Sequence, residues 1–327
     1  MMKRNPVLDI AKGFGIILVV LAHGYSSENP LYYWISSFHM PLFFFVTGIV
    51  YGIRGQQYRF SDFPWRKKLS TMIVPYLIWA VITQSFLGIL KIIGGADPTE
   101  VFTTMLLQII RGNAGFLWFL PALFLAELLF YLFSGDRLRL VSAVLLGGFG
   151  LLFPTISMFP GYDSRVLTAF FFITAGYFGH TILLAPAKPL WLAVCACLSI
   201  GLGVMNGEVI LPAGRLGNPI LFLITSFCGS YLTIQASRWI GKRPSKTASI
   251  LAWLGQNSII ILCVHNILTE TIRLADYKTI GILPTAGIFE GFIIAVLTMA
   301  AMIPIIFLGN RYFYWSFGKK KPLTPTK

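Results

Sequence analysis

Blocks of about 20 apolar residues recur along this 327-residue chain, each long enough to cross a bilayer as a helix. They fall near 8–24, 37–53, 71–93, 116–134, 138–154, 165–184, 189–205, 218–237, 248–269 and 284–308. Lipid offers backbone polar groups no partner, so such spans are helical. Ten-residue runs of alternating apolar and polar positions, the mark of a membrane β-barrel, are absent. The pattern predicts an all-α polytopic membrane protein with about ten transmembrane helices. It predicts one membrane domain over 1–327, without a separate soluble domain or an internal repeat.

Ionisable residues interrupt the apolar pattern at a few positions, and burying them in a membrane is costly enough to suggest function. The first span holds three: Asp9, Lys12 and His23. At 100° per residue, Lys12 and His23 lie on nearly the same helix face and Asp9 lies within about 40° of His23. Gly13, Ile16 and Val20 complete that stripe, and Gly13 and Gly15 invite close approach of a neighbour. Asp9 and His23 are about 21 Å apart along a continuous helix, too far for a hydrogen-bonded dyad. A cation therefore sits towards one end of this wall and an imidazole at the other. His39 opens the second span on the same side as His23, which favours proton-transfer chemistry. Simpler roles stand beside these: an Asp9–Lys12 pair at the headgroups, and core histidines bonded to carbonyls at His23 and His265. His180 ends the sixth span as an interfacial residue.

Charge sets the orientation. The chain carries 26 Lys plus Arg against 12 Asp plus Glu, a formal net charge of +14. With the N-terminus inside, the inner segments hold 19 basic residues. They are Lys3 and Arg4; Arg54, Arg59, Arg66, Lys67 and Lys68; Arg137 and Arg139; Lys188; Arg238, Lys242, Arg243 and Lys246; and Arg311, Lys319, Lys320, Lys321 and Lys327. The outer loops hold 5: Arg111, Arg165, Arg215, Arg273 and Lys278. Such asymmetry predicts both termini in the cytoplasm. It also accounts for the basic excess through anionic headgroups, so nucleic acid is not an expected partner. Arg66, Lys67 and Lys68 form either a topology anchor or a seat for a polyanionic cytosolic ligand such as a nucleotide or coenzyme A. Trp118 reads as an aromatic-belt residue.

The remaining composition mainly excludes. Charged residues are only 12% of the chain and aromatics 15%, which rules out a soluble enzyme and disorder alike. Cys195, Cys197, Cys228 and Cys263 lie inside apolar blocks, without zinc spacing, as small packing residues. Phosphate loops, nucleophile elbows and metal signatures are missing, so no metal is expected.

Asp9-Ile10-Ala11-Lys12-Gly13 followed by His23, and Phe38-His39-Met40-Pro41-Leu42-Phe43-Phe44-Phe45-Val46-Thr47-Gly48, resemble the opening motifs of the acyltransferase 3 family, in its fucose 4-O-acetylase-like branch. Pro75-Tyr76-Leu77-Ile78-Trp79, Leu117-Trp118-Phe119-Leu120-Pro121-Ala122-Leu123-Phe124, and Gly255-Gln256-Asn257-Ser258 with His265 extend the likeness over nearly the whole chain. The resemblance implies an enzyme of the inner (plasma) membrane. It would move an acetyl or other short acyl group from acetyl-CoA, its co-substrate, onto a hydroxyl of a cell-surface or lipid-linked carbohydrate. His23 matches the family's catalytic histidine, and His39 joins it as a catalytic candidate. Lys12 stands where the family has an arginine, keeping charge without the bidentate fork. Lys12, Arg66, Lys67 and Lys68 are the donor-binding candidates, although only Lys68 of the family's paired arginines before the third span keeps its charge. Asp9, Trp118, Asn257 and His265 are further site candidates. The expected partners are acyl-CoA, a carbohydrate acceptor and membrane lipid. A flippase for a lipid-linked glycan is the competing class, and a non-catalytic membrane sensor a third. The glycan and the choice between general base and acyl carrier at His23 stay open.

Overall fold

A computed structural model describes residues 5–25, 29–155, 163–276 and 288–320. Lys3, Arg4, Lys278, Lys321 and Lys327 of the charge pattern lie outside the described residues, as does the start of the tenth predicted span. The helices are α1 (Pro6–Gly24), α2 (Pro30–Ser36), α3 (His39–Arg54), α4 (Trp65–Lys68), α5 (Val74–Ile93), α6 (Pro98–Ile110) and α7 (Phe119–Leu132). There follow α8 (Asp136–Leu152), α9 (Asp163–Leu184), α10 (Pro189–Asn206), α11 (Pro219–Gly241), α12 (Lys246–Gln256), α13 (Ser258–Ala275) and α14 (Ile288–Arg311). Among the described residues there is no β-strand, only an isolated bridge between Ile210 and Arg215.

One local code starts four of these helices. Asn5, Asn29, Asp97 and Asn218 each cap a helix with a side-chain oxygen, and each is followed by proline. The cap satisfies free N–H groups, and proline, which has none, fits the first helical position. A wider π turn over Leu69–Ile73 joins α4 to α5, ahead of Pro75.

Among the described residues, nine stretches are long and apolar enough to cross a membrane. The predicted span 138–154 is not among them: it falls in α8, a helix of 17 residues. Asp136, at its start, accepts a hydrogen bond from Tyr177 near the end of α9. Pro154, just past its end, abuts Gly214, beside residues that line the His23 cavity. The ends of the described chain share one end of the bundle. Lys319 bonds Asn257, next to Gln256, which holds Asp9 of α1.

Three predicted spans are corrected in detail. The stretch 248–269 is two helices meeting at Asn257, and Ser258–Ala275 is the part long enough to span. The stretch 116–134 belongs to a longer pass, Pro98–Leu132, broken between α6 and α7. The stretch 37–53 is preceded by α2, with the break at Ser37 and Phe38.

Packing centres on α1, which touches α2, α3, α11, α12, α13 and α14. Its approach to α12 is backbone on backbone: a Cβ on Gly13 would strike the Leu251 carbonyl, and one on Gly255 the Asp9 carbonyl. Small residues let membrane helices close in this way. Large apolar side chains point outward from α5, α8, α10 and α14, among them Ile89, Leu145, Leu190 and Phe307. That distribution suits a lipid solvent.

Two of the topology cations turn inward instead. Arg139 is 1% exposed and donates to the carbonyls of Phe130 and Tyr58. Lys68 pairs with buried Glu127.

Candidate active site

Two cavities lie one above the other along α1. The lower, about 240 Å³, is lined by Lys12, Ile16, Thr47, Thr71, Met72 and Ser258 among others. The upper, about 440 Å³, is lined by His23, His39, Tyr32, Phe116, Trp118, Glu208 and Arg273 among others. Val19, Met40 and Leu262 line both and stand between them. Lys12 and His23 are about 16 Å apart along α1. Of the first span's stripe, Lys12, Ile16 and His23 line cavity, whereas Gly13 packs on α12.

Three histidines meet around the upper cavity. The His23 and His265 rings are 5.4 Å apart between centroids, and His39 lines the same chamber. Nδ1 of His265 lies 2.9 Å from the Ile261 carbonyl and 3.0 Å from that of Leu262. Nδ1 of His39 lies 2.8 Å from the Ile35 carbonyl. A carbonyl only accepts, so each Nδ1 carries the proton and each Nε2 keeps a lone pair when the ring is neutral. Nε2 of His265 is buried without a hydrogen-bond partner. His265 thus combines the carbonyl-bonded core role with proximity to His23. His23 differs from both: its ring makes no side-chain hydrogen bond among the described residues and stacks on Phe116 at 3.5 Å between centroids. It is the one of the three whose two ring nitrogens are both without a hydrogen bond among the described residues.

The α1 terminus is held from a distance. Arg273 donates to the carbonyls of His23 at 2.9 Å and Gly24 at 3.2 Å. A helix end leaves such carbonyls without intrahelical partners, and a cation there suits the helix dipole. Sequence reading counted Arg273 only as an outer-loop charge, because the ninth span was ended at 269. Phe116 was also missed, since an aromatic opening an apolar block carries no distinguishing signal.

The other expected residues divide. Asp9 lies 3.6 Å from Lys12 and accepts from Gln256 at 3.1 Å, so the pair forms inside the protein. Trp118 is 4% exposed and walls the His23 chamber; the aromatic-belt assignment is corrected. Asn257 stands at the α12–α13 break, beside Ser258, which lines the lower cavity. Its Oδ1 accepts from Asn310 and Lys319, and its Nδ2 donates to the Trp253 carbonyl. Those bonds stitch the helix break. Arg66 and Lys67 are exposed on α4, whereas Lys68 is committed to Glu127. His180 bonds the Tyr177 carbonyl through Nδ1 and packs at Gly52.

Neither the curated proteins nor the solved structures offer a match to this chain. The family model for the acyltransferase domain matches residues 5–310, which include every residue lining the two cavities, and the chain accordingly belongs to the acyltransferase 3 family of membrane proteins.

Proposed function

We propose that this membrane acyltransferase moves an acetyl or other short acyl group from acyl-CoA to a hydroxyl of a cell-surface or lipid-linked carbohydrate. It would work as a single domain in the inner (plasma) membrane, with both termini cytoplasmic, and its motifs suggest the fucose 4-O-acetylase-like branch. The observation that carries this reading is the pair of adjoining cavities that share Val19, Met40 and Leu262, with a cation in one and His23 in the other.

In this reading the donor enters from the cytoplasm past Arg66 and Lys67. Lys12 attracts its phosphates, and the thioester arm parts Val19, Met40 and Leu262 to reach His23. His23 takes the proton of the acceptor hydroxyl as its oxygen attacks the thioester carbonyl. The carbon–sulfur bond then breaks, and the imidazolium returns that proton to the departing thiolate. The products are an ester and free coenzyme A. His39, whose Nδ1 is held by the Ile35 carbonyl and which lines the same chamber, suits accepting a hydrogen bond from the hydroxyl at Nε2 before transfer.

Broken helices beside a polar chamber also suit a glycan flippase. The test is thiol release from acetyl-CoA by purified protein in lipid nanodiscs, with and without added glycans. Glycan-dependent thiol release lost in His23→Gln supports the enzyme. Glycan movement across liposomes without thiol release would overturn it.

A further inference from the structure

A third cavity, about 480 Å³, opens between α5 and α6. Lys91, Ala96 and Glu100 stand at its mouth, around the turn between the two helices. Gln84, seven residues deeper than Lys91 along α5, lies about 10 Å below it, and the floor continues through Gln108 and Asn113. Phe116 and Pro212 line this cavity and the His23 chamber alike, so they form the partition between them.

The lining has a definite chemistry. Gln84 is 7% exposed, yet its carboxamide has no hydrogen-bond partner among the described residues. Its amide atoms are not shut off from the cavity, so they are open to a ligand there. The side chain of Gln108 is likewise without a partner among the described residues, and Thr104 lines the cavity one helical turn before it. Carboxamides offer donors and acceptors together, the requirement for binding neighbouring hydroxyl groups. The mouth carries one charge of each sign, which does not select a polyanion. The Phe116 ring, 3.5 Å from that of His23, closes the way to the imidazole.

We infer that this cavity binds a neutral glycosyl unit of the acceptor, and that Phe116 is the partition which must swing aside to present its hydroxyl to His23. The inference rests on the acyltransferase reading for the identity of the acceptor, but its binding test does not. The probe is a panel of p-nitrophenyl glycopyranosides of glucose, galactose, mannose, fucose and N-acetylglucosamine. The protein is held in lipid nanodiscs free of glycoside detergents. Cys195, Cys197, Cys228 and Cys263 are replaced by alanine, and Thr104→Cys reports occupancy through its rate of maleimide modification. At least one glycoside should slow that rate, whereas coenzyme A should not. Gln84→Met and, independently, Gln108→Met should raise the half-protecting concentration about tenfold, the effect of losing one good hydrogen bond. Protection by none of the glycosides, protection unchanged in both variants, or protection by lipid alone would overturn the site. Acetyl transfer to a glycoside that leaves Thr104→Cys unprotected would retain the enzyme and remove this site. Protection without acetyl transfer or thiol release would retain the site and remove the enzyme.

Discussion

Arg273 of α13 closes the end of α1 by donating to the main-chain carbonyl of His23 at 2.9 Å. The histidine's backbone is thereby tied to a helix 250 residues away in sequence. Removing this tie in Arg273→Ala should lower kcat by tenfold or more, since hydrogen bonds from charged groups are worth about 1.5–3 kcal/mol. KM for acetyl-CoA should change little, because the donor's cation, Lys12, is at the other end of α1. Arg273→Lys should recover only part of the rate, lacking the fork. Steady-state kinetics per folded molecule would check this, and a change confined to donor KM would contradict it.

His23→Ala and His23→Gln should both abolish acyl transfer while leaving expression intact. Loss of a general base costs roughly 10²–10⁴-fold in rate, about 3–5 kcal/mol of barrier. Gln keeps hydrogen bonding but takes no proton at neutral pH. Near-normal turnover in His23→Gln would move the chemistry to His39 or His265.

Arg66→Gln combined with Lys67→Gln should raise KM for acetyl-CoA, and the increase should shrink as salt screens the attraction in the parent protein. Lys68 belongs to a different experiment. Lys68→Met leaves Glu127 charged and buried, and should destabilise the fold by about 3–5 kcal/mol. Glu127→Gln in the same chain should restore much of that stability. Thermal unfolding of the single and double variants would expose the coupling, and additive losses would deny it.

Gly255→Ala should part α1 from α12, since the new methyl meets the Asp9 carbonyl. Overpacking of this kind typically costs about 1–3 kcal/mol. The matched control is Gly201→Ala, where open space receives the methyl and a helix position gains propensity. Equal melting temperatures for the two variants would refute the close approach.

Reporters fused at Gly55 and Lys320 should read cytoplasmic, and one at Gly207 should read external. The basis is the asymmetry of 19 basic residues against 5. An external reading at Lys320 would remove the ten-span topology.

Apolar block length and the cost of unpaired backbone in lipid were enough to specify helices, their approximate positions and the polar face of the first span. The structure adds that Asn-Pro and Asp-Pro pairs start four helices, a local interaction that apolar block length does not register. Sequence spacing separated Lys12 from His23 along one wall, and that separation persists in the two cavities. Spacing within one helix says nothing about what packs across from it. Only the tertiary structure brought His265, Phe116 and Arg273 to His23, turned Trp118 inward, and committed Lys68 to Glu127. Hydropathy likewise ran through the breaks at Asn257 and between α6 and α7, because a window average cannot see which backbone groups find partners on another helix. Those breaks are sustained by non-local bonds such as Asn310 and Lys319 to Asn257, which form only once the chain has closed on itself.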